Sequence, residues 1–296
     1  MVHITCFGEV LWDIFPTHKK IGGAPLNVAL RLHSLENNVA MITRIGDDPE
    51  GKELVAFIKK QGLNIDNIQI DKKLITGATT VALDQIGTAS YDIKFPTAWD
   101  AIQSTDSARQ AVATTDAFIF GSLVARNDSS RATLQELLQL AKYKIFDVNL
   151  RAPHYTAAVL THLMKAADFI KFNDDELFEI AKPIASKKAT IEEHILWIAK
   201  QTNTPSICVT RGSDGAVLYY KERFYYNTGY QVDVIDTVGA GDSFLASLIH
   251  KLLQGTAPQI AINFACAVGA LVAGSEGANP NIKEETIHKL INAYSS

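Results

Sequence analysis

Val234-Ile235-Asp236-Thr237-Val238-Gly239-Ala240-Gly241-Asp242-Ser243-Phe244 sets two apolar β-branched residues, a glycine-lined turn and an acid in one short stretch. Phe244, Leu245, Leu248, Ile249 and Leu252 then recur at helical spacing. The pattern predicts a strand through Val234 and Ile235, a turn at Gly239 to Gly241 and a buried helix opening there. The unpaired N–H groups of a first helical turn and the positive end of its dipole attract an anion such as a transferring phosphoryl group. A carboxylate beside such a trap repels phosphate, so Asp242 suits removal of a proton from an attacking hydroxyl, help worth about 10²–10⁴ in rate. The same residues also read as a plain helix cap behind a glycine turn.

Outward from that stretch, strands are predicted at His3–Phe7, Val39–Ile42, Ala117–Phe120, Lys144–Asp147, Phe169–Lys171, Ser206–Thr210 and Ala216–Tyr220. Helical patterns fall between most of them, at Leu26–Leu35, Glu53–Gln61, Ser130–Lys142, Ala157–Ala166, Asp174–Ala181 and Ile191–Gln201. Strand and helix in alternation imply an α/β fold with a mostly parallel sheet covered on both faces, and ligands beyond the carboxyl ends of its strands. Two places break the rhythm. Leu11 to Lys20, and Gly77 to Asp84 followed by Thr88 to Ile93, read as hairpins without helices, either a lid over a site or surface ornament. No linker or repeat divides residues 1–296, so a single domain is expected, with a lid from about 11–20 and 76–98.

Several segments carry candidate chemistry. Gly22 and Gly23 let backbone approach a ligand, and Asn27 offers an amide that donates and accepts, as sugar hydroxyls require; an internally satisfied loop reads equally well. Thr210-Arg211-Gly212-Ser213-Asp214-Gly215 follows a strand, either as a hairpin turn or as a place for nucleotide. Asn173 with Asp174 caps the helix through Leu177, while Glu176 lies one turn inside, where it could hold hydrated magnesium near phosphates. Asp147, Asn149 and Arg151 alternate at period two and are expected to point one way from an extended segment, with Arg151 meeting a phosphate, a sugar oxygen or Asp147 itself. Gly46 to Lys52 has Walker A spacing, but Glu53 replaces the magnesium-binding hydroxyl and three carboxylates crowd the loop, so it reads as a structural entry to the helix at Glu53.

Composition excludes other classes. The chain has 296 residues, 47% hydrophobic and 20% charged, with a net charge of −4, so no broad basic surface exists for nucleic acid or anionic membrane. The longest clean apolar run, Phe264 to Ala273, is about half a membrane span. No basic n-region opens the chain, and a cytoplasmic location is expected. Cys6, Cys208 and Cys266 lie singly in apolar stretches and read as reduced core thiols. A dinucleotide-binding oxidoreductase is disfavoured because no Gly-x-Gly-x-x-Gly follows the first strand.

Taken together and in this order, the segments resemble the ribokinase-like (PfkB) carbohydrate kinases, over nearly the whole chain from Gly8 to Pro280. Asp236-Thr237-Val238-Gly239-Ala240-Gly241-Asp242-Ser243-Phe244 carries most of the resemblance, supported by Gly22-Gly23 and by Asn173-x-x-Glu176. The resemblance implies a ribokinase-like fold with a small β-sheet lid. It implies Asp242 as base, Gly239, Ala240 and Gly241 as anion hole, and Asn173 and Glu176 organising magnesium through water. It places Asp13, Gly22, Gly23, Asn27 and Arg151 on the sugar, and Thr210, Gly212 and Gly215 beside ATP. It puts Cys266, Gly277 and Ala278 in the adenine pocket, and Asp236 with the carbonyl of Val238 where several members bind a monovalent cation such as potassium. ATP and a sugar are the implied partners, and family members often dimerise through the lid. Gly8-Glu9-Val10-Leu11-Trp12-Asp13, Gly22-Gly23-Ala24-Pro25-Leu26-Asn27, Ala98-Trp99-Asp100 and Phe146 to Arg151 are most similar to bacterial fructokinases, which implies phosphorylation of fructose at its 6-hydroxyl. A 2-keto-3-deoxygluconate kinase, which shares the Asp-x-Asn-x-Arg wording, and a non-catalytic sugar sensor are the alternatives.

Overall fold

A computed structural model describes residues 1–83, 89–182 and 190–294. Its strands are β1 (His3–Phe7), β2 (Leu11–Ile14), β3 (Lys19–Gly22), β4 (Asn38–Gly46), β5 (Ile68–Asp71), β6 (Gly77–Leu83), β7 (Ala89–Ile93), β8 (Ala117–Gly121), β9 (Lys144–Asp147), β10 (Phe169–Asn173), β11 (Ser206–Thr210), β12 (Ala216–Tyr220) and β13 (Arg223–Asn227). Its helices are α1 (Ala24–Ser34), α2 (Pro49–Lys60), α3 (Asp106–Thr114), α4 (Asp128–Leu138), α5 (Ala157–Ala166), α6 (Asp174–Ala181), α7 (Ile191–Thr202), α8 (Ala240–Leu253), α9 (Pro258–Ala273) and α10 (Glu284–Ala293).

Nine strands form one sheet in the order β13-β12-β11-β10-β9-β8-β1-β4-β5. Pairing is parallel from β11 to β5, and only the β11–β12 and β12–β13 pairings at one edge are antiparallel. After β1 the chain builds β4 and β5 on one side, then crosses to β8 on the other. The order therefore reverses between β1 and β8, and a crevice opens beyond their carboxyl ends. A second sheet, β3-β2-β6-β7, pairs β2 with β6 in parallel and closes each hairpin antiparallel. It is made of the two helix-free segments singled out above; the part of the second hairpin at 84–88 lies outside the described residues.

Alternation along the strands separates two cores. Ile4 and Cys6 of β1, Ile119 of β8, Phe169 of β10 and Cys208 of β11 face α1, α8 and α9. Phe7, Phe118, Phe120, Phe146, Ile170 and Phe172 face α3 to α7. Lys171 falls on the same face as Phe169, so the strand period aims it at α8. Among the described residues no helix is long and apolar enough to cross a membrane.

Three expectations are corrected. Val234 and Ile235 form no strand; they are 66% and 62% exposed. The β12–β13 hairpin already fills that sheet edge, and the segment is tied to the end of α9 instead, through Ile235 and Asp236 N–H groups donating to the Ala273 carbonyl at 2.8 and 3.1 Å. Helix α2 starts at Pro49 rather than Glu53, because Asp48 caps it by accepting the Gly51 N–H at 2.8 Å. The extended segment expected through Arg151 ends at Asp147. Asn149 turns left-handed (φ 38°), leaving Asp147 buried and Arg151 exposed, so the two do not point one way.

Candidate active site

Helix α8 begins at Ala240, with Gly239 before it at φ 77°, a conformation that favours glycine. A Cβ on Gly239 would also stand 2.6 Å from the Ala278 backbone, so the turn and the 277–278 segment pack directly on one another. Asp242 lies in the first turn and accepts a hydrogen bond from Asn27 Nδ2 at 2.8 Å. Burial, then the charge of Asp147, pushes its carboxyl up to about 6, against the Asn27 bond, Lys171 and Arg151. At neutral pH such a group is mostly ionised and close to the pH at which a base exchanges protons most effectively.

Lys171 is buried and pairs with Asp147 at 3.1 Å. Its Nζ lies 3.5 Å from where a Cβ on Gly241 would stand, which puts a cation at the helix mouth. Burial alone would push the ammonium down, but Asp147, Glu176 and Asp242 around it hold it above the usual lysine range. The second oxygen of Asp147, Oδ2, is buried without a hydrogen-bond partner.

Asn173 and Glu176 form a reciprocal cap on α6. Asn173 Oδ1 accepts the Glu176 N–H and Glu176 Oε2 accepts the Asn173 N–H, both at 2.8 Å. Glu176 Oε1 takes the Leu150 N–H at 2.8 Å. Glu176 is therefore a structural carboxylate first, tying α6 to the turn after β9, with its remaining lone pairs beside Lys171 and Asp147. Among the described residues no group of three or more His, Cys, Asp or Glu could hold a metal directly. Oxygen donors with a partnerless Asp147 Oδ2 nearby fit magnesium held through water and phosphate oxygens.

The small sheet contributes Asp13 from β2 and Gly22 from β3, strands that pair antiparallel. A side chain on Gly22 would collide with the Asp13 carboxylate, so glycine lets that acid lie flat across the hairpin. Burial raises Asp13 to about 6, opposed by Arg151 and Lys20. At the β1–β8 crevice a concavity is lined by Glu9, Ala24, Pro25, Gly121, Asp147 and Asn149. Glu9 Oε2 is buried there without a partner, and burial lifts that carboxyl to about 7. Arg151 is exposed at the mouth, and its charge acts on Glu9, Asp13 and Asp242 together.

Gly23 precedes α1, and Asn27 sits within it, buried. Thr210, Gly212 and Gly215 lie at the β11–β12 hairpin, so the turn reading holds there. Cys266 is buried in α9 under the influence of Arg211. Asp236 accepts the Val238 N–H at 3.0 Å and Lys20 Nζ from β3 at 3.3 Å, and these donors, with the Gly277 N–H, keep its carboxyl below the usual range despite burial.

The arrangement is a base at a helix mouth, a cation beside it and a crevice at the β1–β8 switch point that Glu9 and Asp147 line. A family described as pfkB family carbohydrate kinase matches residues 3–285. The chain belongs to that family. It is thus an ATP-dependent carbohydrate kinase of ribokinase-like fold. It is 28% identical over 308 residues to fructokinase-2 of Solanum habrochaites, covering 94% of this chain and 92% of that one. It is likewise 28% identical over 309 residues to a fructokinase of Solanum tuberosum, covering 96% and 93%. Among solved structures, the fructokinase of Vibrio cholerae O395 bound to fructose, ADP and calcium ion superposes with a TM-score of 0.83 at 24% identity over 98% of this chain and 99% of that one. The Xylella fastidiosa fructokinase with bound ATP gives 0.85 at 23% identity, over 99% of both.

Sequence reasoning passed over Lys171, Glu9, the buried Arg31, which donates to Ser243 Oγ, and Asn279, which donates to Asn27 Oδ1. The first carried a signal: a lysine inside the apolar run Phe169-Ile170-Lys171-Phe172 must be paired if that run is buried. Arg31, inside the apolar run of α1, carried the same one.

Proposed function

We propose that the chain transfers the γ-phosphoryl group of ATP to the primary 6-hydroxyl of fructose, giving fructose 6-phosphate and ADP. The observation that carries this reading is Asp242, half-buried at the mouth of α8 and bonded by Asn27, with Lys171 beside Gly241. Asp242 accepts the hydroxyl proton as its oxygen attacks the γ-phosphorus. The Gly239 and Gly241 N–H groups and the Lys171 ammonium steady the charge gathering on the equatorial oxygens, the Ala240 N–H being given to the Thr237 carbonyl at 3.2 Å, and ADP leaves in line. Asp13, Glu9 and Asp147 present carboxylate oxygens able to accept hydroxyl hydrogen bonds, which suits a polyol. Glu176 and Asp147 would hold magnesium through water, and the ion would supply positive charge that offsets that of the phosphates.

A neutral sugar is favoured over 2-keto-3-deoxygluconate because Arg151, the cation at the mouth, already faces three carboxylates. The fructokinase relatives point the same way. Adenine is proposed to lie along Gly277, Ala278 and Cys266, with Thr210, Gly212 and Gly215 beside the phosphates. The test is ADP release over a panel of sugars with ATP and magnesium. Fructose is expected to give the highest kcat/KM. A higher value for 2-keto-3-deoxygluconate moves the reading to that substrate, and failure to release ADP with any sugar, despite measurable fructose binding, makes the chain a sensor.

A further inference from the structure

Asn27 and Arg31 stand one turn apart on α1, at i and i+4, and both reach the same two places. Asn27 Nδ2 donates to Asp242 Oδ2 at 2.8 Å, and its Oδ1 accepts from Asn279 Nδ2 at 2.9 Å. Arg31 Nε donates to Ser243 Oγ at 3.1 Å, and its Nη2 to the Pro280 carbonyl at 2.9 Å. Each side chain thus bridges the first turn of α8 to the segment at 279–280, by neighbouring residues at both ends. Arg31 is 4% exposed, and both of these bonds go to uncharged oxygens.

The direction of the upper rung is forced by chemistry. An ionised carboxylate only accepts, so Asn27 must turn its NH₂ toward Asp242. Its carbonyl oxygen then faces Asn279, which must donate. Were that donor lost, the Asn27 amide would keep only one of its two tethers, and its NH₂ would be held toward Asp242 by the carboxylate alone.

We propose that Asn279, Asn27 and Arg31 form a two-rung clamp on α1 that fixes the orientation of Asp242 from the segment following Gly277 and Ala278, with Asn279 and Arg31 acting as positioning residues. The clamp rests on the kinase reading for its purpose, since it links the nucleotide side of the cleft to the base. Its geometry does not depend on which sugar is used. The other ionisable groups acting on Asp242 are Glu9 after β1, Asp147 of β9, Arg151 in the following turn and Lys171 of β10. None of them lies on α1 or the 279–280 segment, so changing the clamp leaves their charges in place.

The experiment compares wild type with Asn279→Leu and Arg31→Met. Asn279 is exposed, so its replacement removes a donor without opening the core. The first readout is the titration of the Asp242 carboxyl carbon in protein labelled with ¹³C-aspartate, its signal assigned by loss in Asp242→Asn. The midpoint is expected to rise by about one unit in Asn279→Leu, the equivalent of one hydrogen bond to a charged group. Arg31→Met is expected to move it the same way, by releasing Pro280 and with it Asn279. The second readout is the pH profile of kcat: at pH 6 turnover should fall about fivefold in Asn279→Leu, recover above pH 8, and leave the KM for fructose unchanged. An unmoved midpoint in folded Asn279→Leu overturns the clamp, whatever happens to Arg31→Met. Absence of turnover in wild type would defeat the kinase reading alone, because the carboxyl titration needs no substrate.

Discussion

The aromatic layer under α3 to α7 and the polar layer under α1 and α8 lie on opposite faces of the same strands and do opposite things. On the first face Phe118, Phe120 and Phe146 pack with ring centroids 5.9 and 5.3 Å apart, and none is more than 1% exposed. On the second, Asn27, Arg31, Lys171 and Ser243 are buried among apolar neighbours. Buried charge on that face is held by specific partners, and some acceptors, such as Asp147 Oδ2 and Glu9 Oε2, have none. The first face is dominated by aromatic cohesion, while on the second the unpartnered carboxylate oxygens of Glu9 and Asp147 gather at the β1–β8 crevice, where a substrate or its ions can satisfy them.

The contrast is sharpest when one residue is removed from each face. Phe146→Ala leaves a cavity and is expected to cost about 3–5 kcal/mol in urea unfolding, with kcat per folded molecule unchanged. Lys171→Met strips Asp147 of its partner and is expected to cost a similar 3–5 kcal/mol, but with loss of turnover as well. If Lys171→Met destabilised the fold and left kcat intact, the second face would be merely structural there.

Asp242→Asn should act in the other direction on stability. Burial raises its carboxyl to about 6 in the folded chain, well above the usual aspartate range, so folding favours the protonated form. That contribution is fully present below the unfolded value and is lost as pH rises through 6, leaving a penalty at neutral pH. The asparagine variant removes it, and at pH 8 a gain of about 2–3 kcal/mol is expected, vanishing below pH 4. A gain that persists at pH 4 would mean that something other than the carboxyl charge is relieved.

A smaller effect concerns pH alone. In wild type, kcat/KM should fall tenfold per unit on the acid side of a midpoint close to 6, the value at which Asp242 takes up its proton. An acid limb near 4 would place the base in a solvated setting at odds with its burial.

Much of this architecture is legible in the sequence, because local periodicity records it. Strands at Lys144–Asp147, Ser206–Thr210 and Ala216–Tyr220, and helices at Ala157–Ala166 and Asp174–Ala181, stand at the bounds expected from their patterns. The helix mouth at Gly239 to Asp242 was visible because glycine, acid and apolar period coincide there. Val234 and Ile235 misled because β-branched residues favour strands only where a sheet edge is free to take them. Asn149 misled because a period-two pattern does not show where the chain turns left-handed. The Asn27–Asn279 and Arg31–Ser243 bonds join residues more than two hundred positions apart, a separation that no local pattern encodes.

The most direct test of the central claim is ADP release from ATP and fructose by wild type and Asp242→Asn, with fructose affinity measured on the same samples by calorimetry. A loss of about 10²-fold or more in kcat with fructose binding retained is the expected result. Turnover within a few-fold of wild type, or equal loss of binding and turnover, would contradict the assignment of Asp242 as the base.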